Sequence, residues 1–229
     1  MSRILALVEG ETERDFINTI LAEHFGLRGV TIQATLPGRV YRHGGVPAWE
    51  SARRDLIRHL STGAIVTTAF DFYGMPSDWP GRIEAAAFAP TVQRAHCVEA
   101  AIQRDLMHTL PPDSRSELFV PYVQLHEFEA LVFVDPVAFA TEMVTVDHGI
   151  SDLEGQLRDI VQASGSPEAI NDHQETSPSH RIKRMLGDRY RKPLHGVNIT
   201  RRVGLSALRL ACPHFSDWIS RLENVASST

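Results

Sequence analysis

The chain has 229 residues, of which 43% are hydrophobic and 22% are charged, and its formal net charge is -5. These values are typical of a soluble globular protein with one large domain, or one domain with an appendage. They exclude a protein that attracts nucleic acid over its whole surface, and no apolar run approaches the ~20 residues of a membrane span. The N-terminus lacks the basic and apolar regions of a signal peptide, and the two cysteines lie far apart. We therefore expect a cytoplasmic protein without a structural zinc site.

The first predicted element is a buried strand that ends on a carboxylate. Residues 4–8 form an unbroken apolar run, which predicts a strand that is buried on both faces. Glu9 follows at once, Gly10 permits a sharp turn, and an amphipathic helix is predicted with Thr12 as its N-cap. Glu13 would lie in the first turn of that helix, where the helix dipole favours negative charge. Both glutamates are expected at the carboxyl edge of the sheet, where open α/β sheets bind ligands.

The pattern then alternates between strands and helices as far as residue 125. Further strands are predicted at 30–36, 64–70 and 118–125, and helices at 48–60, 82–88 and 91–110. This alternation predicts right-handed crossovers and a largely parallel sheet. Pro121 interrupts the last of these strands, so we expect that strand to lie away from the centre of the sheet.

From residue 135 the pattern loosens into short helices and a long loop near 164–179. Ser179 is the predicted N-cap of a helix that follows this loop. The predicted domains are an α/β core, 1–140, and a mostly helical C-terminal extension packed on it, 141–229.

Three of the predicted strands end on carboxylates. Asp71 and Glu127 follow their strands as Glu9 follows the first. Because the carboxyl ends of parallel strands share one edge, we expect these three side chains within a small volume. A cation would relieve their repulsion, and an oxygen-only donor set suits Mg²⁺ or Mn²⁺. The alternative is coincidence, since loops at this edge are polar and acids at helix starts, such as Glu13, often serve only as caps.

Two basic segments are candidates for phosphate binding. One is a loop at 39–47, and the other spans 181–202, where eight basic residues stand against a single acid. Ordinary surface loops and solvated helix faces also have this composition. The phosphate-binding residues that we predict are Arg42, Arg181, Lys183 and Arg184.

Several motifs give the chain a resemblance to Toprim domains of the OLD-nuclease type. Residues 8–13, Val-Glu-Gly-Glu-Thr-Glu, resemble the first motif of those domains. Residues 70–74, Phe-Asp-Phe-Tyr-Gly, and 125–131, Leu-His-Glu-Phe-Glu-Ala-Leu, resemble later motifs of a small, mostly bacterial Toprim-like group, catalogued as domain of unknown function 4276. Residues 171–172, Asn-Asp, and 212–215, Cys-Pro-His-Phe, are similar to that group as well, so the resemblance covers nearly the whole chain.

The resemblance implies an α/β fold with a Toprim-like, mainly parallel sheet flanked by helices, a helical C-terminal extension and an acidic Mg²⁺ site. Toprim enzymes use a glutamate from the first strand and an Asp-x-Asp pair from a later strand. Glu9 matches the glutamate, Asp71 the first aspartate, and Glu13 the extra glutamate of the OLD type. Tyr73 stands where the second aspartate is expected, which puts two metals in doubt unless Glu127 or Glu129 replaces it.

The resemblance also implies a basic residue near the scissile phosphate. Lys192, Lys183 and Arg181 are the candidates, and Lys192 is our choice for the catalytic one. OLD-like proteins carry or partner an ABC-type ATPase, and this chain has no GxxxxGK[ST] motif, so the ATPase would be a separate chain.

Our first hypothesis is a metal-dependent nuclease or phosphodiester hydrolase in a bacterial defence or repair system. Glu9, Asp71 and Glu127 would hold Mg²⁺ or Mn²⁺, with Glu13 or Glu129 supporting a second ion. A helix is expected to take over after Glu127, so only one of Glu127 and Glu129 can face the metal, and we favour Glu127, with Glu129 as an ion-pair partner.

The expected partners are nucleic acid, either DNA or RNA, a separate ATPase, and a second copy of the chain as a homodimer, with no membrane. The alternative is a non-catalytic Toprim-like binding or regulatory subunit of an ATPase complex. A third hypothesis is a hydrolase of small phosphate esters.

Overall fold

The structure is a computed structural model that describes residues 2–38, 45–88, 91–111, 114–144, 152–170 and 177–229. The chain divides into two compact units. The first unit comprises Met1–Leu125 and Asp217–Thr229, and the second comprises His126–Ser216. This division differs from the predicted domains, 1–140 and 141–229, because the last residues return to the first unit. The predicted domain boundary stays a prediction.

The first unit is built on a parallel sheet, as the alternating pattern predicts. Its described strands are β1 (Arg3–Val8), β2 (Thr31–Thr35), β3 (Ile65–Asp71), β4 (Phe119–Val120) and β5 (Val123–Gln124). They lie in the order β2-β1-β3-β4, with β5 also paired to β3, and each of these pairs is parallel. β3 is buried along its whole length, as expected for a central strand of a parallel sheet with both faces covered. The residues around Pro121 form two short edge strands in place of the one strand predicted there.

The first helix, α1, runs without a break over residues 11–26. It consists of Glu11–Phe16, a π-helical stretch at Ile17–Leu21, and Ala22–Gly26. The prediction that Thr12 is the N-cap is wrong: Gly10 occupies that position, and Thr12 is buried inside the first turn. No side chain caps this helix end, which leaves its first N–H groups close to the end of β1.

The other helices of the first unit follow the predicted pattern with adjusted ends. They are α2 (Trp49–Leu60), the short α3 (Arg82–Ala85) and α4 (Thr91–Thr109). Gly81 precedes α3 with φ of 76°, and a Cβ there would lie 2.7 Å from that of Ala101 on α4. Only glycine fits such a left-handed, crowded position, so the start of α3 is fixed against α4.

The last segment of the chain packs on this sheet unit. The Trp218 indole donates its N–H to the hydroxyl of Thr67 on β3 at 2.8 Å, and its ring stacks on Tyr122 with centroids 4.2 Å apart. Glu223 accepts from His24 on α1 at 2.7 Å. These contacts explain why residues from Asp217 onward belong with the sheet.

The second unit is helical among its described residues. It contains a 3₁₀ helix at Phe128–Val134, then α5 (Pro136–Val144), α6 (Leu153–Ser164) and α7 (Pro178–Leu186). A π-helical turn, Lys192–Gly196, leads into α8 (Val197–Val203), which is followed by α9 (Leu205–Ala211) and by α10 (Pro213–Ser227), whose later residues belong to the first unit. Gly204, with φ of 79°, separates α8 from α9.

The motif at 212–215 is a helix start. The carboxylate of Glu168 accepts the backbone N–H groups of His214 at 3.1 Å and Phe215 at 2.9 Å. Glu168 thus satisfies two of the N–H groups that the first turn of α10 leaves without helical partners. None of the helices in the described part of the chain combines the length and the hydropathy needed to cross a membrane.

Candidate active site

Glu9 and Asp71 meet at the carboxyl ends of β1 and β3. The parallel register places Val8 beside Ala69, so the two strands end at the same level. The N–H of Glu9 donates to the carbonyl of Ala69 at 3.3 Å, which extends the pairing by one residue. The Glu9 side chain then turns towards β3, where its Oε2 accepts the backbone N–H of Asp71 at 3.1 Å. The predicted proximity of Glu9 and Asp71 is thus present in the geometry of the first unit.

Glu13 is the third carboxylate of this edge, and it folds back over Gly10. Glu13 is only 8% exposed, and a Cβ placed on Gly10 would lie 3.1 Å from its Oε2. Gly10 itself is extended, with φ of -147° and ψ of -175°, which any residue can adopt. The chain does bend at Gly10, as expected, but the bend does not depend on glycine angles; a Cβ there would instead crowd the Glu13 carboxylate.

A second glycine gives the backbone close access to Glu9. A Cβ on Gly74 would lie 3.4 Å from Glu9 Oε1 and 3.5 Å from Oε2. The segment after β3 therefore passes directly over this carboxylate. Tyr73, at the position of the missing second aspartate, is 41% exposed, and its hydroxyl accepts an N–H of Arg94 at 3.1 Å. A phenol in that contact supplies no carboxylate ligand.

The first unit thus places Glu9, Glu13 and Asp71 at one edge of the sheet, although their three carboxylates do not all lie within 4.8 Å of one another. Asp71 is 8% exposed, so two of the three acids are held largely away from bulk water. Burying carboxylates side by side is unfavourable unless a cation or hydrogen-bond donors compensate. Oxygen donors of this kind fit Mg²⁺ or Mn²⁺, and they do not form the sulfur- and nitrogen-rich set that zinc prefers.

Glu127 lies in the second unit, where both of its carboxylate oxygens bind Ser179. Oε2 accepts the Ser179 backbone N–H at 2.8 Å, and Oε1 accepts its hydroxyl at 2.7 Å. The predicted N-cap of α7 was Ser179, but Ser177 holds that position and accepts the N–H of His180 at 3.3 Å. Glu127 therefore caps the α7 N-terminus from outside, a structural role that was not predicted. Its predicted place as a metal ligand with Glu9 and Asp71 stays a prediction.

Glu129 is buried and forms an ion pair with Lys192. A helix was expected to take over after Glu127, and it begins at Phe128. In that arrangement only one of the two glutamates is expected to serve as a ligand. Glu129 is 2% exposed, and its Oε2 lies 3.0 Å from the Lys192 Nζ. Burial raises the pKa of Glu129, Lys192 opposes that rise, and the nearby charge of Glu127 adds to it. The ion pair fixes the ammonium of Lys192 at the start of the Lys192–Gly196 turn.

The predicted phosphate-binding residues do not share one environment. Arg42 lies outside the described residues. On α7, Arg181 is half-buried, whereas Lys183 and Arg184 are exposed. The exposed pair is accessible to a phosphate, and their assignment stays a prediction.

Sequence reasoning missed two sets of residues around these carboxylates. Ser179 could not be assigned to Glu127, because the two are separated by 52 positions along the chain. Arg82 and Arg94, which surround Tyr73, were assigned only to helices. A signal existed for Arg82, which directly follows the Gly- and Pro-rich segment after Asp71, whereas no such signal marked Arg94.

Comparisons with known proteins were made for the whole chain. The family described as "Domain of unknown function (DUF4276)" matches residues 8–223. Among solved structures, the chain is similar to the C-terminal region of the Burkholderia pseudomallei OLD protein, with 13% identity and a TM-score of 0.47, over 99% of this chain and 100% of that one. It is also similar to the C-terminal region of the Xanthomonas campestris pv. campestris OLD protein, with 13% identity and a TM-score of 0.45, over 96% and 97%. No curated protein gives a significant match.

Proposed function

The chain belongs to the DUF4276 family, and we propose that it is a Mg²⁺- or Mn²⁺-dependent phosphodiester hydrolase, specifically a nuclease. The observation that carries this proposal is the junction of Glu9 with Asp71, where Glu9 Oε2 accepts the Asp71 N–H at 3.1 Å. Two acids at adjacent parallel strand ends, with Glu13 near them, would offer hard oxygen ligands at the edge where α/β sheets bind ligands.

A divalent ion bound there would neutralise phosphate charge and lower the pKa of a bound water. Glu9, Glu13 and Asp71 are the residues of the first unit that would hold it. The Asp71 N–H fixes the orientation of the Glu9 carboxylate, so little side-chain entropy remains to be lost when an ion binds. From the second unit, Glu127 remains the proposed ligand and Glu129, the ion-pair partner of Lys192, its alternative.

Lys192 is the proposed catalytic cation. Its ammonium group is held by a buried carboxylate 3.0 Å away, while its side chain remains 35% exposed. Because the ion pair already holds its side chain in place, Lys192 would lose little conformational entropy on binding a phosphate oxygen. This favours Lys192 over Lys183, whose side chain is exposed. Arg42, Arg181, Lys183 and Arg184 are proposed to hold the phosphate backbone. A separate ABC-type ATPase and a role in bacterial defence or repair are proposed from the OLD-type resemblance.

The proposal is tested by cleavage of labelled DNA and RNA in Mg²⁺ or Mn²⁺, for the chain alone and with a candidate ATPase. We expect Glu9→Gln and Asp71→Asn to abolish cleavage and to weaken Mn²⁺ binding in calorimetry. Glu11→Gln is the matched control, since Glu11 lies at the same helix start with its side chain 57% exposed. If the wild-type chain cuts no nucleic acid under any of these conditions, the proposal is wrong.

A non-catalytic binding or regulatory subunit is the second candidate, and Tyr73 favours it. By resemblance, Tyr73 stands at the position of the second Toprim aspartate, and its hydroxyl accepts a hydrogen bond from Arg94. A second metal ion would therefore lack one carboxylate ligand. Absence of Mn²⁺ binding, together with unchanged function of Glu9→Gln in an ATPase complex, would favour this candidate over the enzyme.

A further inference from the structure

The segment after β3 brings aromatic rings and arginines together next to the carboxylates. The rings of Phe72 and Tyr73 meet edge to face, with centroids 5.3 Å apart. The Arg82 guanidinium lies over the Phe72 ring, 4.1 Å from its centroid. Arg94 donates one N–H to the Tyr73 hydroxyl at 3.1 Å and another to the carbonyl of Phe88 at 2.8 Å. We call Tyr73, Arg82 and Arg94 the tyrosine–arginine surface.

The two arginines of this surface have no acidic partner among the residues that the structure describes. Among the described residues, no carboxylate oxygen lies within 4.0 Å of a guanidinium nitrogen of Arg82 or Arg94. Elsewhere in the unit, half-buried arginines do pair with acids: Arg14 lies 2.9 Å from Asp15, and Arg53 lies 3.4 Å from Asp105. The tyrosine–arginine surface therefore carries two cations whose charge the described chain leaves uncompensated.

Arg82 is also poorly solvated. Its Nε is buried and has no hydrogen-bond partner in the described part of the chain. Burial lowers the pKa of Arg82, Tyr73 opposes this, and the positive charge of Arg94 lowers it further. An anion near the two guanidinium groups would offset these unfavourable interactions, and a phosphate oxygen accepts charge-assisted hydrogen bonds from arginine.

The position of this surface connects it to the candidate active site. Tyr73 follows Asp71 by two residues, and the next residue, Gly74, leaves only 3.4 Å between a would-be Cβ and Glu9 Oε1. Gly81 fixes Arg82 from the other side by its close approach to Ala101. A polymer bound on Tyr73 would therefore pass next to Glu9 and Asp71.

We propose that the tyrosine–arginine surface binds one unpaired nucleotide of a single-stranded nucleic acid, with its phosphate between Arg82 and Arg94 and its base on Tyr73. The polymer class rests on the proposed function, and the single strand follows from chemistry. Tyr73 is 41% exposed and Phe88 is 39% exposed, which offers ring faces to a base. Bases inside a duplex are stacked on each other and cannot use such a face, whereas unpaired bases stack on aromatic rings.

The test measures binding without metal, so that loss of cleavage and loss of binding are separate results. Labelled single strands of about 12 nucleotides, the size that single-strand binding folds cover, and a blunt duplex are titrated by fluorescence anisotropy in EDTA. The wild-type chain is expected to bind the single strand more tightly than the duplex. Tyr73→Leu should raise the Kd about tenfold by removing one stacked base, while Tyr73→Phe should change it less than about threefold.

Arg94→Gln tests the phosphate contact. Each phosphate contact on a single strand contributes about 0.7 to the magnitude of the slope of log K against log salt. The slope measured for Arg94→Gln should therefore be smaller than that of the wild-type chain by about 0.7. Arg54→Gln, an exposed arginine on α2, is the control of equal charge change and should keep the wild-type slope. Thermal melting confirms that each variant is folded, and Arg94→Lys should restore most of the slope if Arg94→Gln unfolds.

Two results would overturn the proposal. One is equal binding of the single strand by the wild-type chain and Tyr73→Leu. The other is that poly-glutamate displaces the single strand equally well from the wild-type chain and from Tyr73→Leu. That result would indicate that the surface binds an acidic protein segment. If the single strand binds through Tyr73 but the wild-type chain cuts no substrate in Mg²⁺ or Mn²⁺, the proposed nuclease function fails and the binding surface stands.

Discussion

Replacing Lys192 by methionine would remove the partner of the buried Glu129 carboxylate. With Nζ and Oε2 3.0 Å apart, the Coulomb attraction is about 5 kcal/mol at an effective dielectric constant of 20. Breaking a fully buried pair costs about 3–5 kcal/mol, because the remaining charge is left without compensation. Lys192 is 35% exposed, and water screens the pair from that side. We therefore expect Lys192→Met to lower the free energy of unfolding by about 2–3 kcal/mol at neutral pH.

The pair is isolated by a double-mutant cycle of Lys192→Met and Glu129→Gln, with unfolding by urea followed by circular dichroism. We expect a coupling energy of at least about 1 kcal/mol, because Lys192→Met should cost much less once Glu129 is uncharged. Without Lys192 the pKa of Glu129 should rise further, since Lys192 opposes the effect of burial. The cost of Lys192→Met should therefore shrink as the pH falls and Glu129 takes up a proton.

The reasoning would be refuted if Lys192→Met cost the same with and without Glu129→Gln, or cost less than about 0.5 kcal/mol. The cycle also separates stability from catalysis. Glu129→Gln keeps the ammonium but loosens it, so a catalytic Lys192 predicts a fall in kcat that is smaller for Glu129→Gln than for Lys192→Met.

Three further predictions follow from single contacts. Gly10→Ala places a Cβ 3.1 Å from Glu13 Oε2 and should displace that carboxylate. Calorimetry should then show Mn²⁺ affinity reduced about tenfold, while the free energy of unfolding falls by about 1 kcal/mol or less. Unchanged Mn²⁺ affinity would contradict this prediction. Burial lowers the pKa of His59 from its ordinary 6.5, so the unfolded chain takes up a proton first as the pH falls. The free energy of unfolding should therefore fall between pH 6.5 and the lowered pKa. Urea midpoints measured across this range should fall less in His59→Leu than in the wild-type chain. Glu168→Ala removes the acceptor of two N–H groups at the start of α10, which should cost about 1–2 kcal/mol in urea titrations, and a cost near zero would refute the capping role.

The sheet and its acidic edge were predictable because local patterns determine them. The apolar run before Glu9 and the one before Asp71 each define a strand, and the alternation with helices makes those strands parallel. Once the strands are parallel, their ends must coincide, and the Glu9–Asp71 contact follows. Pro121 was likewise correctly placed at the edge of the sheet, because proline cannot complete a central ladder.

The remaining contacts depend on packing that no local pattern records. Ser179 reaches Glu127 only because the start of α7 packs beside the Phe128–Val134 helix. An ion-pair partner for Glu129 was expected, but the choice of Lys192 depends on where the Lys192–Gly196 turn lies. Thr12 was a good cap by propensity, yet Gly10 holds that position, and a Cβ there would crowd the Glu13 carboxylate.

The return of the last helix to the sheet has a consequence for the order in which the chain folds during synthesis. Thr67 and Tyr122 are translated early, but Trp218, which bonds one and stacks on the other, emerges only after all of His126–Ser216. At 5–20 residues per second, the ribosome takes on the order of 5–20 s to make that intervening stretch. During this interval the surface of β3 that Trp218 covers stays open to solvent. A nascent sheet in that state is a natural client for a chaperone, and ribosome-bound chains arrested before and after residue 218 should differ in protease sensitivity at β3.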